Sequence, residues 1–457
     1  MSLAVVILAA GRGIRMRSAF PKLLHAIGGV SMFGRLLETV SQIKPTQVIA
    51  VYGHQGEQLK EAFGAHTSLT WVHQKEQLGT GHATLQALPL LKEAIDRVLI
   101  LYGDIPLITA DTLNHLLQTT QKTALGLITT EVKDPTGFGR IIRDQKGKIL
   151  RVVEEKDATL EEKHVKEINT GFFLVARDQL ESWLPKLSDR NMQQEYYLPD
   201  IVAMANANGV PVSSVVPRFG WEVMGVNDKV QLAKLERLYQ EAQAIQLMEQ
   251  GVTLLDPTRL DIRGEVSVGS DVVIDVNVIL EGRVILGDNV NIGPNVYIKN
   301  AVIQDGTQVF ANSIIEDAHI DAGCCIGPFA RIRPGTVLAN GVRVGNFVEI
   351  KNTTVNAHSK IPHLSYIGDA SIGQEVNIGA GTITCNFDGK KKHKTIIQDH
   401  VFVGSCSQLI APVTVGENVT IGAGTTVTRD IPSHHLIHNR IEHRTMAKKP
   451  EMDEELE

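Results

Sequence analysis

The chain has few cysteines, few aromatic residues and no long hydrophobic run. Its four cysteines, at positions 324, 325, 385 and 406, form no Cys-x-x-Cys pair, so they indicate neither a disulfide framework nor a zinc site. Reduced thiols of this kind favour a cytoplasmic protein. No apolar segment is long enough to span a bilayer, and a net charge of −6 over 457 residues gives no basic surface for a nucleic acid. We therefore expect neither membrane nor nucleic-acid partners.

In place of these features the sequence has a six-residue repeat between positions 262 and 431. Aliphatic residues recur at positions 262, 268, 274, 280, 286, 292 and 298, usually with Val four places later and with Gly, Asn or Asp in between. Residues two apart in an extended strand point to the same face, and Gly or short polar residues allow the chain to turn a corner. A period of six is typical of a parallel β-helix, so we predict a triangular prism with about 18 residues per coil. A β-sandwich would need hairpin turns, which the pattern lacks.

The register of the repeat predicts which side chains come together on the prism. With some five-residue steps and one insertion, within 384–396, it continues to position 427. One inward column consists of Ile361, Ile378, Val403 and Ile421. Two positions beyond each of these, a shared outer edge holds His363, Ala380, Ser405 and Ala423. This edge offers a titrating base beside small residues and exposed backbone, although a solvated loop histidine is the simpler alternative.

A second inward column predicts a cationic cluster. It consists of Ile332, Ile350 and Ile367, and the residues beside it are Arg333, Lys351 and Tyr366. Two cations next to a phenol suit a substrate that carries a phosphate. The alternative for each cation alone is a solvent-exposed charge on a β-face.

Residues 1–227 alternate between predicted strands and helices. The segments LAVVILAA, TQVIAVYG, RVLILYGD and INTGFFLVA indicate strands, and SMFGRLLETVSQI and ATLQALPLLKEAI indicate helices. This alternation is typical of a mostly parallel sheet that binds its ligands beyond the carboxyl ends of the strands. The first segment lacks a cleavage site, so we interpret it as a strand and not as a signal peptide.

Small residues follow the first predicted strand, and Pro21 and Lys22 come shortly after them. Backbone N–H groups can approach a phosphate at such a place, and basic side chains add positive charge. The segment lacks the third Gly of the dinucleotide fingerprint and the Gly-Lys-Ser/Thr of a P-loop. It therefore predicts a phosphate site of another class, with a simple tight turn as the alternative.

A long helix is predicted over 228–250, ended by Gly251. Asp228 and Gln231 indicate a capping box, which leaves Asn227 free for another role. We therefore divide the chain into a domain at 1–227, a linker helix at 228–250 and a β-helix domain at 251–457.

Eight segments carry a resemblance to a known family over nearly the whole chain: LAAGRGIRM, EQLGTGHA, YGDIPLI, EINTG, PFARIRPG, VGNFVEIK, HLSYIGDA and NIGAGTITCNFDG. The chain resembles the bacterial bifunctional N-acetylglucosamine-1-phosphate uridyltransferase/glucosamine-1-phosphate acetyltransferases. The resemblance implies a Rossmann-like nucleotidyltransferase domain followed by a left-handed parallel β-helix. It also implies two reactions: acetylation of glucosamine 1-phosphate by acetyl-CoA, and transfer of UMP from UTP to N-acetylglucosamine 1-phosphate.

For the first domain the resemblance implies a site for UTP and UDP-N-acetylglucosamine. Its implied members are Leu8, Ala9, Ala10, Gly11, Lys22, Gln74, Gly79, Thr80, Tyr102, Gly103, Asp104, Gly139, Glu154, Asn169 and Asn227. Asp104 and Asn227 are also implied to hold Mg²⁺. Ile14 departs from the family, which usually has Ser or Thr there, so a hydroxyl contact near the phosphates is lost.

For the β-helix the resemblance implies that His363 is the base of acetyl transfer. The implied ligands of glucosamine 1-phosphate are Arg333, Lys351, Tyr366, Asn377 and Lys392. The implied contacts of acetyl-CoA are Ala380, Asn386, Phe387, Ser405, Ala423 and Arg440. A homotrimer is also implied, with acetyl sites between chains and Arg440 reaching across. Phe387 stands where Tyr is usual, and Pro362 precedes His363 where small residues are usual, which stiffens that corner.

Two alternatives stay open at this point. The first is a nucleotide-sugar pyrophosphorylase whose β-helix is regulatory or serves only oligomerisation. The second is a non-enzymatic assembly subunit built from the same two domains. The presence of His363 with its small neighbours argues against the first, and the presence of Lys22 and Asp104 argues against the second.

Overall fold

A nine-stranded sheet is the centre of the first part of the chain in the computed structural model. The structure describes residues 2–11, 13–53, 56–66, 68–121, 124–439 and 445–447. The chain divides into two compact units, 1–242 and 243–457. We call them the α/β unit and the prism unit.

The strands and helices from the start of the chain to the long helix follow the predicted alternation. The strands are β1 (Leu3–Ala9), β2 (Ala26–Ile27), β3 (Val30–Ser31), β4 (Gln47–Tyr52), β5 (Leu69–His73), β6 (Arg97–Tyr102), β7 (Leu125–Glu131), β8 (Arg140–Arg143), β9 (Ile149–Val153), β10 (Glu167–Ala176) and β11 (Val212–Val215). The helices are α1 (Met32–Gln42), α2 (Gly56–Phe63), α3 (Thr80–Ala87), α4 (Ala110–Thr119), α5 (Arg177–Trp183), α6 (Ile201–Ala207) and α7 (Lys229–Glu249). None of the helices in the described part of the chain combines the length and hydrophobicity needed to cross a lipid bilayer.

The sheet of the α/β unit is mostly parallel, as predicted. Its order is β11-β7-β10-β6-β1-β4-β5, with β8 and β9 attached beside β10. Strand β1 runs parallel to β4 and β6, whereas β10 runs antiparallel to β6 and β7. Residues 4–7 of β1 are almost fully buried, because helices cover both faces of a parallel sheet. The carboxyl ends of β1, β4, β5 and β6 therefore lie at one edge.

Two helix predictions need correction. The helix predicted for ATLQALPLLKEAI ends early: α3 stops at Ala87, and a short 3₁₀ turn follows, because Pro89 has no N–H to continue the hydrogen bonding. The capping box at the start of α7 is only half formed. Asp228 Oδ1 accepts from the N–H of Gln231 at 2.8 Å, but Gln231 Oε1 accepts from the N–H of Asn227 at 2.7 Å. The side chain of Asn227 is still available for other contacts.

The predicted parallel β-helix is confirmed, with short strands on three faces. The first face holds Thr253–Leu254, Val273–Ile274, Asn291–Ile292, Gln308–Val309, Cys325–Ile326, Arg343–Asn346, Lys360–His363, Asn377–Ile378, Phe402–Val403, Thr420–Ile421 and Leu436–Ile437. The second face holds Tyr297–Lys299, Ile314–Glu316, Arg331–Ile332, Glu349–Lys351, Tyr366–Gly368, Ile383–Cys385, Gln408–Ile410 and Thr426–Val427. The third face holds Val302–Ile303, His319–Ile320, Val337–Leu338, Thr354–Val355, Ala370–Ile372, Thr395–Ile397 and Val413–Val415, while Leu260–Val268 and Val278–Leu286 run across the second and third.

The repeat positions fill the inside of the prism, which explains the period of six. Ile262 pairs with Leu280 one coil later, and further along Ile298 pairs with Ile315. The aliphatic repeat residues are buried almost without exception and form one continuous core. The predicted insertion is also present: Phe387 and Lys392 form an antiparallel bridge between the strands Ile383–Cys385 and Thr395–Ile397. At this insertion the chain departs from the six-residue repeat and forms a loop.

Candidate functional site

A cavity of about 540 Å³ lies at the carboxyl-terminal edge of the sheet in the α/β unit. Most residues predicted to bind UTP line it: Leu8, Ala9, Ala10, Gly11, Lys22, Gln74, Gly79, Thr80, Tyr102 and Asp104. Gly103 lies next to the lining, where its N–H donates to the carbonyl of Leu8 at 2.9 Å. The edge of the sheet thus collects residues that are far apart in the sequence.

Two oxygen atoms from distant parts of the sequence converge on one ammonium group in this cavity. Lys22 Nζ lies 2.6 Å from Asp104 Oδ2 and 3.1 Å from Asn227 Oδ1. Arg15 also donates to Asn227 Oδ1, at 2.9 Å. The backbone explains the approach, because the N–H of Val226 donates to the carbonyl of Asp104 at 2.9 Å. Asp104 and Asn227, predicted as a pair, are therefore brought together around a positive charge.

The pair fits a hard divalent cation such as Mg²⁺. A carboxylate oxygen and an amide oxygen are ligands of the type that Mg²⁺ takes, and both already face one cationic group. In the described ranges, no three His, Cys, Asp or Glu side chains come together as a metal site. A cation held by Asp104 and Asn227 would therefore take its other ligands from phosphate and water, as Mg²⁺ usually does.

The residues predicted for the sugar end form a wall next to this cavity and do not line it. The N–H of Asn169 donates to the carbonyl of Gly139 at 2.8 Å. A methyl group added at Gly139 would lie 3.1 Å from Glu154 Oε1, so these two residues are in contact. Gly171 has φ +84° and faces the ring of Tyr102 so closely that a side chain there would clash. Gly139, Glu154 and Asn169 are thus assembled as predicted, beside Tyr102.

Carboxyl groups crowd this wall and change one another's protonation. Burial, and then the charges of Asp200 and Asp157, raise the pKa of Glu154 to about 7. Burial and the charge of Asp157 likewise raise the pKa of Asp200 to about 6. Burial, followed by the charge of Glu154, raises the pKa of the Tyr102 phenol above its usual range. Near neutral pH, Glu154 therefore exists in both forms and is able either to donate or to accept a hydrogen bond.

The sequence analysis missed part of the lining of the cavity. Gln77 and Glu195 line it, and Gln77 Nε2 donates to the carbonyl of Ala10 at 2.9 Å. The segment around Glu195 joins the loop at 78–81: the N–H of Tyr196 donates to the carbonyl of Leu78, and its own carbonyl accepts from Gly81 at 2.7 Å. Gln77 belongs to the segment EQLGTGHA and could have been found there. Glu195 has no signal in the sequence, because its role depends on a tertiary contact.

On the prism, His363 has a fixed orientation and an exposed ring. It ends the strand Lys360–His363 and pairs with Asn346 one coil earlier. Its Nδ1 lies 2.7 Å from Asn346 Oδ1. Because a carbonyl oxygen only accepts, Nδ1 carries the proton in the neutral ring and leaves Nε2 as a proton acceptor. The imidazole is therefore arranged as a base that faces outward.

The predicted edge of small residues beyond His363 is present. Ile378 pairs with Val403, which pairs with Ile421, as the register requires. The next residues stack along the same edge through backbone hydrogen bonds, from Cys406 N–H to the Ala380 carbonyl and from Gly424 N–H to the Ser405 carbonyl. Ser405 and Ala423 are exposed, and Ala380 is half-buried. A ligand lying along this edge meets backbone and very small side chains.

The predicted cationic cluster forms on the second face, with one correction. Ile332 pairs with Ile350 and Ile350 with Ile367, which places Arg333 beside Lys351. Tyr366, however, pairs with Glu349 in the neighbouring column, since it comes before its inward residue and not after it. Gly368 continues the Arg333–Lys351 column, and because it has no side chain, the hydroxyl of Tyr366 lies over it.

Acidic side chains contact two of the cations of this cluster. Arg333 Nη1 lies 2.6 Å from Glu349 Oε1, and Lys351 Nζ lies 3.7 Å from Asp369 Oδ2. Lys392 comes from the inserted loop to the side of Lys351. The hydrogen bond with Lys351, and then its charge, lower the pKa of the Lys392 ammonium. The sequence analysis missed Glu349 and Asp369, although both lie within segments that carry the family resemblance.

Two predicted residues stand apart from this cluster, and a third cannot be placed. Asn377 lies on the first face, where it pairs with Lys360, and not on the second face with the cations. The ring of Phe387 is 60% exposed on the inserted loop, although its neighbour Asn386 does reach the cluster. Arg440 lies outside the described residues.

Comparison with known families and proteins identifies both halves of the chain. Residues 5–186 match the MobA-like NTP transferase domain, residues 262–367 the GMPPB C-terminal domain, and residues 394–429 the bacterial transferase hexapeptide repeats. The chain is 54% identical to the bifunctional protein GlmU of Methylococcus capsulatus, over 99% of this chain and 98% of that protein. It is 52% identical to GlmU of Acinetobacter baumannii over 98% of both, and 50% identical to GlmU of Nitrosomonas eutropha over the full length of both.

The chain belongs to the GlmU family of bifunctional proteins. Its fold, a nucleotidyltransferase domain followed by a parallel β-helix of hexapeptide repeats, is the predicted one. Membership of the GlmU family also makes the chain an enzyme with two transferase activities. Of the two clusters described above, one lies in each unit.

Proposed function

We propose that the chain makes UDP-N-acetylglucosamine in two steps. The prism unit acetylates glucosamine 1-phosphate with acetyl-CoA, and the α/β unit transfers UMP from UTP to the acetylated product and releases pyrophosphate. One observation carries the proposal: a single chain holds two separate clusters. Lys22 contacts Asp104 and Asn227 at a cavity of the α/β unit, and the prism unit carries an oriented imidazole on one face and two neighbouring cations on another. We assign the first activity to 1–227 and the second to 251–457, joined by the helix at 228–250.

In acetyl transfer, Nε2 of His363 takes a proton from the ammonium of the sugar while the nitrogen attacks the thioester carbonyl. A C–N bond forms, the C–S bond breaks, and CoA leaves as the thiol. Asn346 keeps the ring in the tautomer that leaves Nε2 free, which is the role of the orienting partner in general base catalysis. A backbone N–H on the edge of small residues, such as that of Ala380, stabilises the oxyanion.

The cationic cluster holds the phosphate of the sugar. Arg333 and Lys351 stand side by side on the second face, and Lys392 approaches Lys351 from the inserted loop. Glu349 and Asp369 offset two of these three positive charges, so the cluster keeps a net positive charge that favours a bound anion. The phenol of Tyr366 completes the cluster with a neutral donor.

In uridylyl transfer, an oxygen of the sugar phosphate attacks the α-phosphorus of UTP. The backbone at 9–11 approaches the phosphates, and Lys22 neutralises their charge at the floor of the cavity. Gln74, Gly79 and Thr80 hold the uracil, and Glu154 and Asn169 hold the sugar. Mg²⁺, when bound by Asp104 and Asn227, supplies charge stabilisation for the transferring phosphoryl group.

We further propose that the active form is a homotrimer, because the acetyl site is incomplete in one chain. Asn377 stands on a different face from Arg333 and Lys351, so it reaches their ligand only from a neighbouring copy. Exposed apolar side chains next to His363 support such a contact. They form a ladder of Phe329, Phe347 and Leu364, which are 48%, 56% and 61% exposed, all at positive φ. Bulky residues are rarely found at positive φ, so three of them in this conformation, one above another, indicate a functional surface.

A coupled assay tests the proposed function. Purified protein is incubated with glucosamine 1-phosphate, acetyl-CoA, UTP and Mg²⁺, and UDP-N-acetylglucosamine is measured. We expect product only when all four are present, and we expect N-acetylglucosamine 1-phosphate to replace the first two. Uridylyl transfer without acetyl transfer would favour the pyrophosphorylase with a non-catalytic β-helix. Neither activity would favour the assembly subunit. We place the protein in the cytoplasm, which its four free cysteines support.

A further inference from the structure

Asp369 stands at a corner of the prism where the chain turns from the second face to the third. Its φ is +50°, a conformation that short polar residues tolerate. Its N–H donates to the carbonyl of Lys351 at 3.0 Å, and its carbonyl accepts from the N–H of Thr395 at 3.2 Å. The backbone of Asp369 is therefore held between the cationic cluster and the end of the inserted loop.

The carboxylate of Asp369 joins side chains from three coils. Its Oδ1 accepts from Asn352 Nδ2 at 2.7 Å, and its Oδ2 accepts from Asn386 Nδ2 at 2.5 Å. Lys351 Nζ lies 3.7 Å from the same Oδ2. The side chain of Asp369 is only 12% exposed, and Asn386 is buried. These contacts outweigh the effect of burial and hold the pKa of the Asp369 carboxyl below its usual range.

We propose that Asp369 is a positioning residue for acetyl-CoA and that it acts through Asn386. A carboxylate only accepts, so it forces Asn386 to turn its NH₂ group inward. The carbonyl oxygen Oδ1 of Asn386 is then left to face outward as an acceptor toward the co-substrate. The inference rests on the proposed acetyl transfer and on the assignment of Asn386 to acetyl-CoA.

Asp369 should favour the binding of acetyl-CoA but disfavour the binding of the sugar phosphate. A negative charge near a phosphate site weakens anion binding, although Lys351 and Lys392 outnumber it. These opposite effects on the two substrates distinguish a positioning role of Asp369 from a purely structural role. Loss of the fold would impair both substrates, whereas loss of the proposed role impairs acetyl-CoA and spares the phosphate.

The test is the substitution Asp369→Asn, which keeps the shape of the side chain. The introduced amide still accepts from Asn352 but turns an NH₂ group toward Asn386, so the Asn386 amide must flip and present a donor to the co-substrate. Asn386 Nδ2 also lies 3.4 Å from the hydroxyl of Tyr366, which can change from acceptor to donor when the amide flips. We expect KM for acetyl-CoA to rise about tenfold or more, as for a lost hydrogen bond to a charged group. We expect KM for glucosamine 1-phosphate to stay unchanged or to fall by up to about threefold, and kcat to change little.

Asp317→Asn is the matched control. Asp317 occupies the same corner further down the prism, with φ +44°, and accepts from Asn300 Nδ2 at 3.0 Å. Among the described residues, no side chain contacts the carboxylate of Asp317 in the way that Asn386 contacts Asp369. The substitution should therefore leave both KM values unchanged. The exchange Asp369→Asn with Asn386→Asp restores the hydrogen bond in reverse and keeps an acceptor facing outward. It should bring KM for acetyl-CoA back to within about threefold of the wild type.

Each outcome decides a different question. A wild-type protein without acetyl transfer would overturn the proposed function itself. If the wild type is active and Asp369→Asn behaves like Asp317→Asn, only the role of Asp369 is wrong. If Asp369→Asn loses the folded trimer, or raises both KM values without rescue by the exchange, Asp369 is structural and the inference fails.

Discussion

The α/β unit encloses the groups proposed to bind phosphate within a cavity of one chain, whereas the prism unit displays such groups on an outer face. Lys22 has 11% of its side chain exposed, lines a cavity, and lies within hydrogen-bond distance of both Asp104 and Asn227. Arg333 is 35% exposed on an outer face, and Asn377 stands on another. A site at the edge of a sheet is completed by loops of the same chain, but a convex prism encloses a ligand only against a second surface. We therefore expect the first activity to survive in a monomer and the second to require a neighbour.

The largest effect is expected from Asp104→Ala, which should abolish the activity proposed for the α/β unit and leave that of the prism unit. The substitution removes one of the two oxygens around Lys22, and with it several kcal/mol of transition-state stabilisation. We expect uridylyl transfer to fall by about 10³-fold or more. Acetyl transfer should be unchanged.

The matched control is Asp111→Ala, in the exposed first turn of α4, which should leave both activities near wild type. A rate of uridylyl transfer close to wild type in Asp104→Ala would show that the metal assignment is wrong. The two half-reactions are assayed separately for both variants.

The next largest effect is expected from His363→Ala, which should impair the acetyl transfer proposed for the prism unit. The ring is exposed, so folding should change by no more than about 0.5 kcal/mol. Acetyl transfer should fall by roughly 10²- to 10⁴-fold, the usual contribution of a positioned base, and the residual rate should rise with pH as the amine of the substrate loses its proton unaided. The control is His319→Ala, at a different histidine of the prism, whose partner is the carboxylate of Asp321. An acetylation rate within a few-fold of wild type would reject the base.

Phe347→Glu tests whether the site of acetyl transfer needs a second chain while the site of uridylyl transfer does not. Phe347 stacks on Phe329 with ring centroids 5.3 Å apart, yet its side chain is 56% exposed. In the proposed trimer it is an interface anchor, whose loss costs about 2 kcal/mol, or roughly 30-fold in association. We expect light scattering to show dissociation, together with loss of acetyl transfer at low concentration and unchanged uridylyl transfer.

Leu160→Glu, the same kind of change at an 80% exposed position of the α/β unit, should leave the assembly intact. A wild-type protein that is monomeric and fully active in acetyl transfer would contradict the trimer.

The smallest effect is expected from Glu154→Gln and concerns stability. Because burial raises the pKa of Glu154 from 4.5 to about 7 in the fold, its contribution to stability is present below the unfolded value and is lost as pH rises through about 7. Gln does not titrate, so the variant should lose less stability than the wild type between about pH 5 and about pH 8. We expect a difference of about 1–3 kcal/mol, measured as the pH dependence of the thermal transition of the α/β unit. Equal pH dependence in both proteins would contradict the raised pKa.

The period of the prism made most of its structure predictable. Each inward position repeats, so the columns that hold His363 and Arg333 follow by counting. The approach of Tyr366 to this cluster was also predicted, although Tyr366 precedes its inward neighbour and only its hydroxyl reaches the Arg333–Lys351 column, over Gly368. The early end of α3 was also readable from Pro89.

Contacts that depend on loops were not predictable by counting. Glu195 reaches the cavity only because the segment beside it bonds to the backbone at 78–81. Asp369 meets Asn386 because the inserted loop begins at the coil above it, outside the repeat. In both cases the partners are set by the tertiary path of an irregular segment, for which the sequence contains no periodic signal.

Complementation between two inactive variants tests the central claim that the two chemistries reside in separate units. Asp104→Ala and His363→Ala are each supplied with glucosamine 1-phosphate, acetyl-CoA, UTP and Mg²⁺, first alone and then mixed in equal amounts. Formation of UDP-N-acetylglucosamine should be negligible for each alone and should return in the mixture after a short lag, to about half of the wild-type rate. A mixture as inactive as its components would contradict the account.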